Sequence, residues 1–281
     1  MAQLGILTTT FGNRTLEATL DAVVRAGMQA VQFEPASAGI RQIPDHLDTA
    51  LCIEVRQALA ARGLTMAAVS GTVNMIHPNV DERRAGLRRL LAVIDACSAL
   101  GTSVVTLCTG TRDGDSMWRR HPANDAPEAW TDLIASMRDV VPRAETRGVT
   151  LAFEPEVNNV VDSAHKARRL IDELGSPALK VVMDPANIFH TGELPRMREM
   201  LEEAFSLLGQ DIALAHAKDL DHDGDAGHLP AGKGILDYPL YLDLLQRSGF
   251  TGALILHGLR EEDVAGCVAF VGRCAPPALF A

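Results

Sequence analysis

Five apolar runs in this 281-residue chain end on a side chain able to hold a metal ion. "AVQFE" ends at Glu34, "VTLAFE" at Glu154, "LKVVMD" at Asp184, "DIALAH" at His216 and "GALILH" at His257. The last four are consecutive runs. Two carboxylates and two imidazoles can bind one divalent cation and leave positions open for a substrate. Each has an ordinary explanation when taken singly. A carboxylate is favoured near the N-terminus of a following helix. His216 can bond to Asp219, and His257 can be a hydrogen-bonded rim histidine. The joint pattern points to a four-ligand set of Glu154, Asp184, His216 and His257.

Such groups need elements that bring strand ends together. Eight apolar runs serve as strands: 4–8, 30–34, 64–70, 103–108, 149–154, 179–184, 211–216 and 252–257. Helical patterns fall between them near 15–26, 48–62, 79–99, 125–147, 162–174, 195–208 and 237–248, with a last helix in the tail. Five junctions repeat a glycine signature, "RAGM", "ARGL", "ALGT", "TRGV" and "RSGF", suited to ending a helix just before a strand. The strands are continuously apolar, which implies burial on both faces and a parallel sheet. Eight βα units in one domain spanning 1–281 predict a closed (β/α)8 TIM barrel, with chemistry at the C-terminal ends of the strands. A doubly wound open sheet is the rival architecture.

Bulk properties narrow the partners. The net charge of −10 disfavours nucleic acid. The five cysteines form no CxxC pair and read as small buried hydrophobes of a reducing compartment. Neither a signal peptide nor a membrane span is visible, so a cytoplasmic protein without a membrane partner is expected. "DHDGD" at 221–225 fails the calcium-loop pattern, and "GKG" at 232–234 lacks the rest of a phosphate loop.

With these pieces in place the chain resembles the xylose isomerase-like barrels, the sugar phosphate isomerase/epimerase superfamily. The resemblance covers nearly the whole chain. It rests on "SGTVNMIHPN" (70–79), "LAFEPEVNNVV" (151–161), "VVMDPANIF" (181–189), "LAHAKDL" (214–220) and "AGKGILDY" (231–238). It implies that Glu154, Asp184 and His216 are three ligands of a single catalytic metal. The family's fourth ligand is a glutamate at the end of the eighth strand, where this chain has His257. In the epimerases that glutamate and the fifth-strand glutamate transfer protons on opposite faces of the substrate. The two-carboxylate mechanism therefore does not carry over unchanged. Asn187 stands where the family's DNA-repair endonucleases have a histidine ligand, which argues against that activity.

The expected activity is isomerisation or epimerisation of a small polyhydroxy carbonyl compound through a metal-stabilised enediolate. A lyase or dehydratase using the same intermediate is the alternative, and a non-catalytic sugar-binding barrel the second. The resemblance makes manganese the first candidate cofactor. The second histidine raises zinc, with cobalt, nickel and magnesium behind. A homodimer or homotetramer follows from family habit. Glu154, His257 and His77 are the catalytic candidates. His77 and Asn74 lie in a loop that by resemblance lines the pocket, although His77 can also merely anchor its turn. The substrate candidates are Glu34, Arg112, Trp118, Glu156, Asn187, Lys218 and His228. Glu156 shares strand parity with Glu154 and is an alternative base. The long loop 108–125 carries Arg112 for an anionic group and Trp118 as an apolar wall. Asp219 can orient His216 from behind.

Overall fold

In the computed structural model, which describes residues 1–12, 14–40 and 43–280, the eight expected strands close into one parallel barrel. They are β1 (Gln3–Leu7), β2 (Ala30–Phe33), β3 (Thr65–Ser70), β4 (Val104–Cys108), β5 (Thr150–Glu154), β6 (Leu179–Met183), β7 (Ile212–Asp219) and β8 (Ala253–Leu256). Each pairs with its sequence neighbour, and β8 pairs with β1, as Gly5 opposite Ile255 shows. Closure leaves the barrel without an exposed edge.

Among the described residues eight α-helices surround it: α1 (Leu16–Arg25), α2 (Thr49–Ala60), α3 (Val80–Leu100), α4 (Pro127–Arg147), α5 (Ala164–Leu174), α6 (Met197–Leu208), α7 (Tyr238–Arg247) and α8 (Val264–Cys274). Their starts follow from capping chemistry. Thr15, Asp48, Asn79, Ser163 and Asp237 each accept a backbone N–H from the first turn of their helix. The glycines of the five repeated junctions, Gly27, Gly63, Gly101, Gly148 and Gly249, all have φ between 64 and 82°. Only glycine enters that region without strain, so each helix stops and the chain turns into the next strand.

Strand parity builds the site. Ala30, Ala68, Ala152, Val182, Leu214 and Ile255 form a small apolar cluster separate from the main core. Two residues further along the same strands stand Gln32, Ser70, Glu154, Asp184, His216 and His257. A period of two keeps both sets on the inner face, so a dry floor lies beneath a polar layer. Outward residues such as Val31, Val69, Leu151 and Leu254 join the larger core between strands and helices. Burying a side chain of this size contributes roughly 1.5–3 kcal/mol, which offsets the cost of ordering the polar floor.

One boundary differs from the sequence expectation. β7 was expected to end at His216 but continues to Asp219. Lys218 and Asp219 pair antiparallel with the returning segment Leu229–Pro230. The extension carries Lys218 inward beside His216, where the sequence pattern suggested a loop residue. From α7, Tyr238 donates to the carbonyl of Lys218 at 2.9 Å and Tyr241 to that of His216 at 2.9 Å. Each buried hydrogen bond contributes on the order of 1 kcal/mol and fixes the height of this strand end.

Candidate metal centre and active site

A cavity of about 600 Å³ opens at the C-terminal ends of the strands. At its base, ligand atoms of Glu154, Asp184 and His216 lie within 4.8 Å of one another. His216 Nδ1 is 3.5 Å from Asp184 Oδ2 and 3.7 Å from Glu154 Oε2. That nitrogen is buried and has no hydrogen-bond partner among the described residues. The opposite nitrogen, Nε2, bonds to Gln32 Oε1 at 2.9 Å. Gln32 Nε2 in turn donates to Ser70 Oγ at 3.1 Å and Thr106 Oγ1 at 3.3 Å. The amide has its donor side engaged, so its oxygen must face the imidazole. His216 is thereby oriented with Nδ1 toward the two carboxylates. An orphaned buried nitrogen beside two carboxylates is a donor set that fits a divalent cation.

The charges in this layer sustain one another. Burial alone would lower the His216 pKa, but Glu154 and Asp184 outweigh it and raise it to about 9. Burial likewise opposes ionisation of Asp184, yet Lys218 and His216 hold its carboxyl well below the usual range. Lys218 Nζ stands 3.1 Å from Asp184 Oδ2. Burial works against its charge too, but Asp184 and Glu154 keep it protonated. Asn187 donates to Glu154 Oε1, and its own oxygen accepts from Gly227 N at 2.9 Å. A metal ion bound at this centre would take the place of the His216 proton.

Of the four expected ligands the structure brings three together. His257 stacks flat on His216, with ring centroids 4.7 Å apart and planes inclined by 17°. In this arrangement His257 is not part of the three-residue cluster, where the sequence pattern expects a fourth ligand. Burial, with His216 and Lys218 nearby, drives its pKa well below the ordinary value, so the ring is neutral. Its Nδ1 is buried without a partner among the described residues.

Glu34, Trp118, Glu156, Asn187, Lys218, His228 and His257 all line the cavity. Trp118 is 57% exposed, a rim residue rather than a buried wall. Burial raises the Glu34 pKa. Burial, then the adjacent Glu154 charge, pushes Glu156 up to about 8.

Two expected site residues lie elsewhere. His77 donates from Nε2 to Gly114 O at 3.3 Å and accepts at Nδ1 from Asn79 N at 3.1 Å. Both ring nitrogens therefore serve loop structure, and the ring is outside the cavity lining. Arg112 likewise falls outside, bonding to Asp132 at 2.6 Å and to Ile76 O at 3.1 Å. Asp132 also holds Arg83, so the Arg112 guanidinium is consumed in bracing two loops. Asn74 joins those loops through Thr111, donating to its carbonyl and accepting its N–H. Asp219 does not touch His216. It accepts from the backbone N–H groups of Leu220, Gly232, Gly234 and Leu236 and so shapes the loop after β7. Cys108 is buried with its thiol pKa raised, by burial first, which suits an inert lining residue.

Sequence reasoning passed over Gln32. Its signal was present, a polar residue at inward parity within the apolar run "AVQF". Asn158 and Asp225 were also missed. They bond to each other at 2.6 Å across the cavity mouth, a pairing between loops that no local pattern announces.

The Glu156 environment makes a testable demand on stability. The folded carboxyl holds its proton up to about pH 8 against an ordinary value of 4.5. The folded state thus binds more protons than the unfolded chain between those limits, and stability falls as pH rises through them. In chelator-treated protein, Glu156→Gln is expected to stabilise by about 1–3 kcal/mol at about pH 9 and by little at about pH 4. Thermal melts of both proteins across that range check this; equal melting temperatures at high pH would remove the strain assigned to Glu156.

Residues 20–266 match the model of the xylose isomerase-like TIM barrel family. The chain belongs to this family. A 70-residue stretch is 40% identical to 2-epi-5-epi-valiolone 7-phosphate 2-epimerase of Actinoplanes sp., a match spanning 25% of this chain and 24% of that one. Among solved structures, the 3-keto-D-glucoside 4-epimerase of E. coli superposes with a TM-score of 0.74 at 16% identity, covering 98% of this chain and 100% of that one. A D-tagatose 3-epimerase-like protein gives 0.76 at 13% identity, covering 97% and 96%. An L-ribulose 3-epimerase gives 0.70 at 18% identity, covering 96% and 86%. At these identities the structural matches speak for the barrel alone, and the family match supplies the membership.

Proposed function

We propose that this family member is a divalent-metal-dependent isomerase or epimerase of a small, uncharged polyhydroxy carbonyl compound. The observation that carries the reading is the orphaned His216 Nδ1 facing Glu154 and Asp184 at the cavity base. Those three residues would hold the ion. Manganese is the first candidate and zinc the second. When bound, the ion supplies positive charge to a substrate carbonyl and its neighbouring hydroxyl, which acidifies the C–H between them.

The chain's own groups then handle the proton. Glu154 is occupied by Asn187 and the cluster, whereas Glu156 lines the cavity outside it. Its carboxyl pKa is pushed up to about 8, so once ionised Glu156 is a stronger base than an ordinary carboxylate and removes the proton. Return of that proton to the neighbouring carbon, with the hydroxyl proton passing to the former carbonyl oxygen, isomerises the substrate through an enediolate. Inversion at the original carbon needs a second group across the substrate, and His257, neutral and with an unpartnered Nδ1, faces the cavity from β8.

Charge defines the substrate class. Glu34, Glu154, Glu156 and Asp225 line the cavity, and Lys218 is the one lysine or arginine among its described lining residues. Lys218 is already paired with Asp184. The partial relative's name specifies a phosphorylated substrate, but this lining suits hydroxyl groups. The test is a panel of ketoses and keto-inositols beside their phosphate esters, in deuterium oxide, with manganese-reloaded protein. Deuterium should enter next to the carbonyl, with kcat/KM for the uncharged compounds higher by about tenfold or more, equivalent to about 1.4 kcal/mol. Loss of water from product would move the reading to a dehydratase. Absence of exchange from every substrate with metal bound would leave the enediolate without support.

A further inference from the structure

The loop after β7 reads "DLDHDGDAGH" from Asp219 to His228, with an aspartate at every second position to 225. Three of those four carboxylates are consumed by the fold. Asp219 takes four backbone N–H groups, as described above. Asp223 accepts from Gly192 N at 2.9 Å and Leu194 N at 3.0 Å. Asp225 accepts from Asn158 Nδ2 at 2.6 Å and from Ala226 N at 2.8 Å. Asp221 differs. Its side-chain partners are two imidazoles, His222 Nδ1 at 2.5 Å and His228 Nε2 at 3.5 Å. The two rings stand 4.9 Å apart between centroids and are tilted by 43° rather than stacked. One donor atom from each of Asp221, His222 and His228 lies within 4.8 Å of the others.

We infer that Asp221, His222 and His228 form a second binding site for a transition-metal ion, separate from the Glu154–Asp184–His216 centre. Two imidazoles and one carboxylate favour zinc, cobalt or nickel over calcium or magnesium. Ligands of a tetrahedral zinc stand about 3.4 Å apart at ordinary bond lengths, so the three groups need only small rotations to close on one ion. All three are about half exposed, with side-chain accessibilities of 47–59%, which leaves them free to rotate and leaves room for water ligands.

The site would act as a clip. It joins the start of the loop, at 221–222, to its end at 228. Between them lie Asp225, Ala226 and Gly227, which with His228 form one wall of the substrate cavity. Gly227 is held by the Asn187 side chain, which also holds Glu154. A side chain at 227 would place its Cβ 2.8 Å from Asp219 O, so glycine is required at this close approach. An ion across 221, 222 and 228 therefore stiffens the wall that leans on the catalytic cluster.

The test counts zinc ions per chain. Full-length protein is stripped with chelator, equilibrated with zinc alone in the micromolar range, and measured by elemental analysis and calorimetry. Wild type should bind two zinc ions. His222→Ala and Asp221→Asn, both exposed and expected to fold, should each bind one, weakening the lost site by at least about tenfold. Glu154→Gln should lose the other ion and keep the clip. Two ions in wild type that both persist in His222→Ala and Asp221→Asn would overturn the inference. So would a single wild-type ion abolished by Glu154→Gln, a result that leaves the proposed catalytic centre standing. A single ion abolished only by the loop variants would support the clip and count against the catalytic centre.

Discussion

Asp184→Asn is expected to abolish metal retention at the cavity base and to lower turnover by about a thousandfold or more. The substitution keeps the shape of the side chain and removes one charge. Asp184 is fully buried and contacts both His216 and Lys218, so both feel the loss of its charge. The loss also reaches stability. Lys218 is left as a buried ammonium without its closest counter-charge, a change that costs about 3–5 kcal/mol when one partner of a buried pair is removed. The two effects separate in a double variant. Adding Lys218→Met to Asp184→Asn should recover much of the melting temperature while metal occupancy stays low. Full metal occupancy in Asp184→Asn by elemental analysis would show that the ion, if bound, sits on other residues.

The barrel was legible because its signals are local and repeated. Each glycine junction and each apolar run reports on its own few residues, and eight repetitions leave few architectures. The strand-end groups were legible for a related reason. A period of two fixes which face a residue takes, so Glu154, Asp184 and His216 could be placed on one side without knowing their neighbours. Less legible was how individual side chains meet across strands and loops. His257 has the correct parity, yet whether its ring joins the cluster or lies flat on His216 depends on the angle between β7 and β8. Arg112 and His77 were assigned by type and loop position. Asp132, from α4, determines where the Arg112 guanidinium points, and the carbonyl of Gly114 determines the same for His77. Lys218, expected as a loop residue of the site, is instead held in β7, which gains three residues and pairs with Leu229–Pro230.

The polar floor of the barrel also accommodates a histidine at position 257 where the resemblance implies a glutamate. Asp184 and Lys218 support each other's charge, while burial and the carboxylates beside Glu156 keep it protonated. A glutamate at position 257 would add another carboxylate to a layer already holding three. A neutral imidazole there adds no charge and contributes a stacked face to His216. The exchange lowers the repulsion that a metal must otherwise neutralise.

Gln32 supplies the second large effect, through orientation rather than charge. Gln32→Met keeps the length of the side chain and deletes its amide. His216 Nε2 then loses its buried acceptor, and the hydroxyls of Ser70 and Thr106 lose their shared donor. Stability should fall by about 1–3 kcal/mol for the groups left unpaired. Metal affinity should fall by about 10–100-fold, the usual consequence of removing the group that fixes a ligating histidine. A merely structural role would move the first quantity alone, so the informative comparison is with Gln32→Glu. A carboxylate at this position still accepts from Nε2 and strengthens the imidazole as a donor, while losing the N–H groups offered to Ser70 and Thr106. Gln32→Glu should therefore retain near-native metal affinity with reduced stability, and Gln32→Met should lose both. Calorimetric titration of manganese into the two folded variants measures the difference. Equal affinities would mean that His216 holds its orientation through Tyr241 and the packing of β7 alone, and that the Gln32 contact does not tune the centre.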